Sequence, residues 1–163
     1  MGKIDINSRI KGIPATQELI DSLKGHIRKA DKEEVWASSH EDINMALDLS
    51  FRAAEVCFIG LLDDNPMIAF GVVRPFLLSA NGIIWMLATD DIEKRISKTA
   101  LARRCREYIS TMLQSFDLLY NFVDVRNTVT VKWLEWIGAE FDEPKPYGPD
   151  NMLFRKFYIR RNK

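Results

Sequence analysis

Basic residues cluster just before the most regular helical pattern in the sequence. Lys94, Arg95 and Lys98 lie between a run of six apolar residues, Ile83–Ala88, and a stretch whose apolar residues have helical spacing. A helix that begins directly after a buried strand directs free backbone N–H groups and the positive end of its dipole into the connecting loop. This loop is therefore a candidate site for a pyrophosphate group, although basic residues at a helix start are also typical of a solvated surface.

Three carboxylates and one imidazole are candidates for a general base. Asp90 and Asp91 follow the apolar run, Glu55 precedes another apolar run, and His40 lies in a polar segment. A general base must come within hydrogen-bond reach of the proton that it removes. Each residue also has an ordinary structural interpretation, because Asp90 and Asp91 can cap a turn and His40 can begin a helix.

Length and composition are those of one globular domain. The chain has 163 residues, of which 47% are hydrophobic and 28% are charged. Its 23 basic and 23 acidic residues balance, which makes a nucleic-acid partner or an anionic membrane partner unexpected. No stretch approaches the roughly 20 apolar residues of a membrane span, and the first residues lack the apolar core of a signal peptide. We therefore expect a cytoplasmic protein without a membrane partner.

The cysteines and histidines do not predict a metal site. Cys57 and Cys105 lie among apolar residues, which is typical of inert buried thiols. His26 and His40 are too few, and too distant in sequence, to form a metal-binding set with them.

The N-terminal part of the sequence predicts helices. Pro14 precedes an apolar spacing that ends near Gly25, which indicates a short amphipathic helix. We interpret residues 1–25 as a helical extension that packs on a main domain, residues 26–163. After a short extended piece, Asp31 is a candidate N-cap for a second helix. The apolar positions from Ile43 to Phe51 predict a third helix that lies on a sheet, with Asp42 or His40 near its start.

The middle of the sequence predicts strands. Val56–Leu62 and Met67–Val73 are apolar runs joined by the turn-forming residues Asp63–Pro66, and this pattern predicts a hairpin. A further turn is expected at Asn81 and Gly82. The six apolar residues that follow, without alternation, indicate a strand that is covered on both faces.

The C-terminal half alternates helices and strands. Apolar spacing from Thr99 to Phe116 predicts a long helix, and Leu118–Val125 is a second buried strand. Asn127 or Thr128 is expected to cap a short helix that ends at Gly138. A closing strand pair follows, at Ala139–Asp142 and Met152–Ile159. This order predicts an α/β fold with a mixed, mostly antiparallel sheet and helices on both faces.

The element order and two motifs resemble the GNAT (Gcn5-related N-acetyltransferase) superfamily. In that family the fourth strand leads into a loop of pattern Arg/Gln-x-x-Gly-x-Gly/Ala, and here the loop reads Arg95-Ile96-Ser97-Lys98-Thr99-Ala100. The first and last positions agree, and Lys98 replaces the middle Gly. An Asn commonly follows the fifth strand, with an apolar-Gly-Phe sequence eleven residues on. Asn127 and Ile137-Gly138-Ala139 stand at these positions.

The likeness is closer still to small GNAT-like proteins of tailed bacteriophages, one of which is classed as an internal virion protein. It covers the C-terminal half, at Leu87–Ala100, Leu119–Val123, Arg126–Thr128 and Trp133–Ala139. The first 80 residues agree in element order more than in motif.

The resemblance implies acetyl-CoA as cofactor and an amine as acyl acceptor. Backbone groups at Leu87, Ala88 and Thr89 would pair with the pantetheine arm and polarise the thioester, a task that needs no particular side chain. The remaining cofactor-binding residues that it implies are Arg95, Ile96, Ser97, Lys98, Thr99, Ala100 and Asn127. We take Asp90, Asp91 and His40 as the candidate catalytic residues.

One departure from the family leaves two functions open. Family members often carry a Tyr, the acid, seven residues after the Asn, and here that residue is Leu134. The first function is an acyl-CoA-dependent N-acyltransferase that acts on a small amine or a protein amino group. The second is a catalytically inactive GNAT-fold bacteriophage protein with a virion or host-interaction role, located in the host cytoplasm or the virion.

Protein partners are consistent with both functions. Trp133 and Trp136 are three residues apart, so both can lie on one side of the short helix. An exposed Trp there would indicate a homodimer or a partner surface. A nucleic-acid-binding domain ranks last, because the net charge is zero.

Overall fold

A computed structural model describes residues 9–162 and contains one eight-stranded sheet with six helices. The helices are α1 (Gln17–Leu23), α2 (Lys29–Ser39), α3 (Ile43–Ala53), α4 (Asp91–Lys94), α5 (Lys98–Met112) and α6 (Thr128–Trp136). The strands are β1 (Ile10–Pro14), β2 (Val56–Leu62), β3 (Asn65–Val73), β4 (Asn81–Ala88), β5 (Leu118–Asp124), β6 (Glu140–Phe141), β7 (Lys145–Tyr147) and β8 (Met152–Arg160).

The sheet confirms the predicted fold class. Its strand order is β1-β2-β3-β4-β5-β8-β6, and β7 pairs with β8. Every pairing is antiparallel except that of β4 with β5. The protein is therefore an α/β fold with a mixed, mostly antiparallel sheet.

Two apolar cores cover the two faces of this sheet. One contains Leu101 and Met112 of α5, Leu134 of α6, and residues of the central strands. The other joins Ile20 of α1 and Leu47 of α3 to the opposite face. The predicted helices on both faces are thus confirmed, and burial of their apolar stripes stabilises the layers.

The parallel pairing in the centre of the sheet is short. Only Asn81, Gly82 and Ile83 of β4 pair with β5, at Leu118–Tyr120. Beyond this point both strands continue for at least four residues without pairing to each other. The side-chain amide of Asn121 instead donates to the Ile84 carbonyl at 2.7 Å. A gap therefore opens between the C-terminal ends of the two central strands.

Several predicted elements occur with shifted bounds. The hairpin of β2 and β3 is confirmed, and Asp63 and Asp64 adopt positive φ angles in its two-residue turn. Asp42 caps α3 by accepting hydrogen bonds from the N–H groups of Asn44 and Met45. Asn81 and Gly82, predicted as a turn, are instead the first residues of β4. The chain turns earlier, between Arg74 and Ala80.

The start of the second helix was predicted incorrectly. Arg28 is the N-cap of α2, and Asp31 lies inside the first turn with its side chain buried. The Asp31 carboxylate binds the Arg28 guanidinium and the distant Ala88 N–H and makes no N-cap bond, so local patterning could not place it.

The N-terminal segment contains a strand as well as the expected helix. Five residues of β1 pair with β2 and extend the sheet, and α1 follows as predicted. The division into a 1–25 extension and a 26–163 domain stays a prediction, and its first eight residues lie outside the described part of the chain.

A glycine fixes the C-terminal half of α2 against the turn before β8. Gly148 has a φ of +76°, and a Cβ there would overlap the Ala37 carbonyl and crowd the Ser38 backbone. Gly25 also has a positive φ, of +81°, but a Cβ there would meet no atom within 4 Å. The two glycines share the conformation and differ in the contact.

This pair separates backbone strain from steric overlap. We expect Gly25→Ala to lower the free energy of unfolding by about 1 kcal/mol, through the positive φ alone. Gly148→Ala should cost roughly 2–3 kcal/mol more, because backbone atoms of α2 must also move. Urea unfolding of both variants measures the difference, and equal costs would show that Gly148 does not position α2.

Candidate functional site

Helix α2 closes the gap between the two central strands with three side chains. Arg28, Asp31 and Glu34 are spaced three residues apart, so they lie along one side of α2. The Asp31 carboxylate accepts a hydrogen bond from the Ala88 N–H of β4 at 3.0 Å. The Glu34 carboxylate accepts one from the Asp124 N–H of β5 at 2.6 Å. Helix α2 thus bridges strand edges that do not pair with each other.

Arg28 is the centre of this arrangement. Its backbone N–H donates to the Ala88 carbonyl at 2.9 Å. Its guanidinium donates to Asp31, Glu93 and Thr130 at 2.6–2.7 Å. The side chain is only 4% exposed, as is appropriate for a cation with two carboxylate partners. One side chain therefore joins α2, α4 and α6.

The backbone groups predicted to hold a thioester arm are already engaged. Leu87 pairs with Ala69 of β3, and the Thr89 N–H donates to the Met67 carbonyl. Ala88 directs its N–H and carbonyl toward the gap, where Asp31 and Arg28 bind them. All three residues are buried. Helix α2 thus holds both backbone groups of Ala88, and the cofactor role of Leu87, Ala88 and Thr89 stays a prediction.

The space beside the predicted cofactor loop is also small. A cavity of about 20 Å³ lies among Arg28, Glu93, Lys98, Thr130 and Trp133. Pockets that hold cofactors and drug-sized ligands have roughly 300–1,000 Å³. The space left beside Arg28 and its partners is therefore smaller than such a pocket.

A larger cavity, of about 270 Å³, lies in the gap itself. Both central strands and helices from both faces line it, including Glu34, Trp85, Asn121 and Trp133. Burial of the carboxyl raises the pKa of Glu34 to about 8, and repulsion from Asp31 and Asp124 acts in the same direction. Attraction to Arg28 and the bond from Asp124 oppose the shift without cancelling it. The Glu34 carboxyl is therefore mostly protonated at neutral pH.

The loop from Arg95 to Ala100 forms a regular helix start. The Ser97 side chain caps α5 by accepting a hydrogen bond from the Ala100 N–H at 3.2 Å. Ile96 is buried in the core, and Arg95 donates to Asp63 in the β2–β3 turn at 2.9 Å. Lys98 is partly buried, and Thr99 is exposed. The cofactor role of these six residues stays a prediction.

Asn127 and the three base candidates lie in different places. Asn127 is the N-cap residue of α6, and its amide faces the Glu34 carboxylate at 3.5 Å. Asp90 and Asp91 form the turn into α4. His40 ends α2 in a left-handed conformation, and its Nε2 lies 2.8 Å from Asp150. Because α2 has eleven residues, His40 is about 16 Å from the Ala88 end. The structure does not gather the three base candidates at one point, and their catalytic role stays a prediction.

Other predicted residues have structural partners. Both oxygens of Glu55 accept hydrogen bonds from Arg74 at the opposite end of β4. Cys57 and Cys105 are free thiols, and burial raises the pKa of each to about 12. Within residues 9–162, no group of three or more His, Cys, Asp or Glu side chains is arranged to hold a metal ion. No helix there combines the length and apolar character needed to cross a bilayer.

Solved structures identify the fold. A spermidine N-acetyltransferase from Vibrio cholerae, in complex with CoA and spermine, superimposes with a TM-score of 0.69 at 14% identity, over 94% of this chain and 96% of that one. YncA of Salmonella typhimurium, a putative acetyltransferase with acetyl-CoA, gives 0.67 at 5% identity over 95% of each chain. The chain has the GNAT fold.

Sequence comparison adds a bacteriophage relative. The probable scaffold protein gp13 of Escherichia phage T7 is 29% identical over 121 residues, which are 71% of this chain and 83% of the relative. A family model described as bacteriophage T7, probable scaffold protein Gp13, matches residues 72–144. The predicted resemblance to GNAT-like phage proteins is thereby confirmed. The family-model match includes β4, the loop at Arg95–Ala100, α5, β5 and α6.

The sequence analysis did not predict a role at the gap for Arg28, Glu34 or Glu93. It also did not predict that Asp31 binds β4. Arg28, Asp31 and Glu34 have the spacing of an ordinary solvated helix face. Their partners outside α2 lie 57 to 102 residues away in sequence. These residues come together only because α2 packs against the gap between β4 and β5 in the folded protein.

The raised pKa of Glu34 predicts a pH-dependent stability. Between its unfolded pKa near 4.5 and its folded pKa near 8, the folded state holds a proton that the unfolded state has lost. Stability should therefore fall as the pH rises from about 5 to 9, by roughly 1–3 kcal/mol from this group. In Glu34→Gln, which cannot ionise, that part of the loss should disappear.

Thermal unfolding at several pH values measures this effect. Glu33→Gln, an exposed neighbour on α2, is the matched control and should keep the wild-type slope. Parallel slopes for wild type and Glu34→Gln would contradict the raised pKa.

Proposed function

We propose that this chain is a non-catalytic GNAT-fold protein that serves in the assembly or structure of a bacteriophage particle. The observation that carries the proposal is the occupation of Ala88 by α2. Its N–H is bound by Asp31 and its carbonyl by the Arg28 N–H. A thioester would need these groups for binding and for polarisation of its carbonyl.

The Arg28 contacts make this occupation stable. Displacing the guanidinium would leave Asp31 and Glu93 without their cation, in a site where Arg28 and Asp31 are almost fully buried. Breaking a buried pair in this way typically costs about 3–5 kcal/mol. Binding of a pantetheine arm alone would not offset this cost. The contacts of Arg28 with Asp31 and Glu93 therefore favour a structural role.

Two further observations support the absence of acyl transfer. Leu134 is buried in the core at the position where GNAT relatives often have a proton-donating Tyr. The base candidates Asp90, Asp91 and His40 do not meet at the gap, and His40 already contacts Asp150.

The phage relative supports the proposed role in particle assembly. T7 gp13 is described as a probable scaffold protein, and its matched region spans 83% of its length. We propose that this chain likewise binds other proteins during particle assembly, in the host cytoplasm or within the virion.

The alternative is an N-acetyltransferase that uses acetyl-CoA on a small amine or a protein amino group. The Ser97-capped start of α5 beside Lys98 favours it, because a helix start of this kind suits a pyrophosphate. The two candidates differ in cofactor binding, which can be measured directly.

Isothermal titration of the full chain with acetyl-CoA tests the proposal that the chain is not a catalyst. We expect no binding at ligand concentrations up to about 1 mM, and no release of free thiol when spermidine is added as acceptor. A GNAT acetyltransferase in the same buffer is the positive control. Sustained thiol release by the wild-type chain would overturn the non-catalytic assignment.

Analysis of particles of the phage that encodes the chain tests the proposed role in assembly. We expect mass spectrometry to find the chain in purified particles or in assembly intermediates, and loss of the gene to lower the yield of infectious particles. A normal yield without the gene, together with absence of the chain from all particles, would contradict the role.

A further inference from the structure

The cavity in the gap reaches both faces of the sheet. Trp85 of β4 packs with the core under α1 and α3, whereas Trp133 of α6 belongs to the core on the opposite face. Both residues line the same cavity of about 270 Å³. The two sides connect because β4 and β5 are not paired beyond Ile83. The cavity therefore has one tryptophan on each side of the sheet.

The two tryptophans carry hydrogen-bond donors that have no partner. The Nε1–H groups of Trp85 and Trp133 are buried, and neither meets an acceptor within residues 9–162. Other polar groups of the wall are engaged, since the Asn121 amide has two backbone partners and the Thr130 hydroxyl accepts from Arg28. A buried donor without an acceptor costs free energy, and such donors are normally satisfied. The cavity thus offers donors to an acceptor that the described part of the chain does not supply.

The charges of the wall do not favour a charged ligand. The Asp31 carboxylate is paired with Arg28, and Glu34 is mostly protonated at neutral pH because burial raises its pKa to about 8. Half-buried Glu41 borders both this cavity and a groove on the outside of α2. An ammonium group offers donors only, so it does not satisfy the indole N–H groups. An uncharged acceptor, such as a carbonyl oxygen, suits both the donors and the remaining wall.

Size and polarity limit the ligand further. Most of the other lining side chains are apolar, among them Phe70, Leu87, Ile109, Leu134, Ile137 and Phe157. An apolar protein cavity of about 150 Å³ holds one benzene molecule, so about 270 Å³ accommodates roughly ten non-hydrogen atoms. Coenzyme A is far larger than this. The space therefore fits a compact apolar molecule and not a nucleotide cofactor.

We propose that the cavity binds a small, uncharged, mostly apolar molecule that carries a carbonyl or similar acceptor oxygen. The apolar part lies between the two cores, and the oxygen accepts a hydrogen bond from the Nε1–H of Trp133, which is only 7% exposed. A ligand with a second acceptor also reaches Trp85. The inference goes beyond the proposed function, because it assigns a ligand to a gap that α2 closes to acyl transfer.

Three related compounds of about ten non-hydrogen atoms test the chemistry of the ligand. Indanone carries a ketone, indane has no acceptor, and aminoindane carries an ammonium group at neutral pH. We expect indanone to bind the full chain with a dissociation constant of about 100 μM. Indane should bind about tenfold more weakly, because it leaves the donors unpaired, and aminoindane should not bind measurably.

NMR of the isotopically labelled chain shows where indanone binds. The four tryptophans each give one indole N–H signal. Indanone should shift the signal of Trp133, and the signals of Trp36 and Trp136, which are 54% and 43% exposed, should stay in place. The two exposed residues thus serve as internal controls.

A single variant tests the hydrogen bond itself. Trp133→Phe removes the donor and keeps an aromatic ring, so it should weaken indanone binding about tenfold and leave indane binding nearly unchanged. Trp136→Phe, on the same helix, is the matched control and should bind indanone like wild type. Circular dichroism establishes that both variants keep the wild-type fold.

Three outcomes would overturn the inference. One is the absence of indanone binding up to about 2 mM. Another is indane that binds as tightly as indanone, which would leave the indole donors without a role. A third is aminoindane that binds more tightly than indanone, which would make the cavity a site for cations. Indanone binding by a chain that also turns over acetyl-CoA would overturn the proposed function alone, so the two fail separately.

Discussion

The ion pair of Arg28 with Asp31 determines how the two halves of the sheet are held together. The central strands pair over three residues and then separate, which leaves backbone groups on both edges without a strand partner. The first turn of α2 supplies those partners from Arg28 and Asp31, and its second turn does so from Glu34. A buried cation and its carboxylates therefore replace the ladder hydrogen bonds that parallel strands would otherwise form. The positive end of the α2 dipole adds to the stabilisation of Asp31.

Much of the fold could be predicted because local patterns and global packing agree. The apolar run in β4, the apolar spacing in α5 and the Asp42 cap of α3 each point to the element that forms there. In the C-terminal half the element order, together with the motifs at Arg95–Ala100 and Asn127, was specific enough to indicate the GNAT fold by resemblance. Element ends were less accurate, because Asn81 and Gly82 are as suitable for a turn as for the first residues of a strand.

The candidate site was harder to predict because its partners are distant in sequence. Nothing near Asp31 indicates that its carboxylate binds Ala88, and nothing near Glu34 indicates a contact with β5. The short strands β1 and β7 were missed for a related reason, since five and three residues give too little alternation to recognise. The position of the loop before α5 was predicted from the sequence, and in the structure this loop is a helix start capped by Ser97.

The brevity of the β4–β5 pairing also bears on how the molecule opens. Strands β1 to β4 form one antiparallel unit, and β5 to β8 form a second. Between them lie three residue pairs, the α2 bridge, and the helices that pack across both faces. Proteins open in cooperative units, and the boundary between units follows the weakest backbone pairing. Slow fluctuations of this protein should therefore separate the sheet along the β4–β5 seam. The amide protons of Ile84 and Phe122, which face that seam, should then exchange faster than those inside either antiparallel unit.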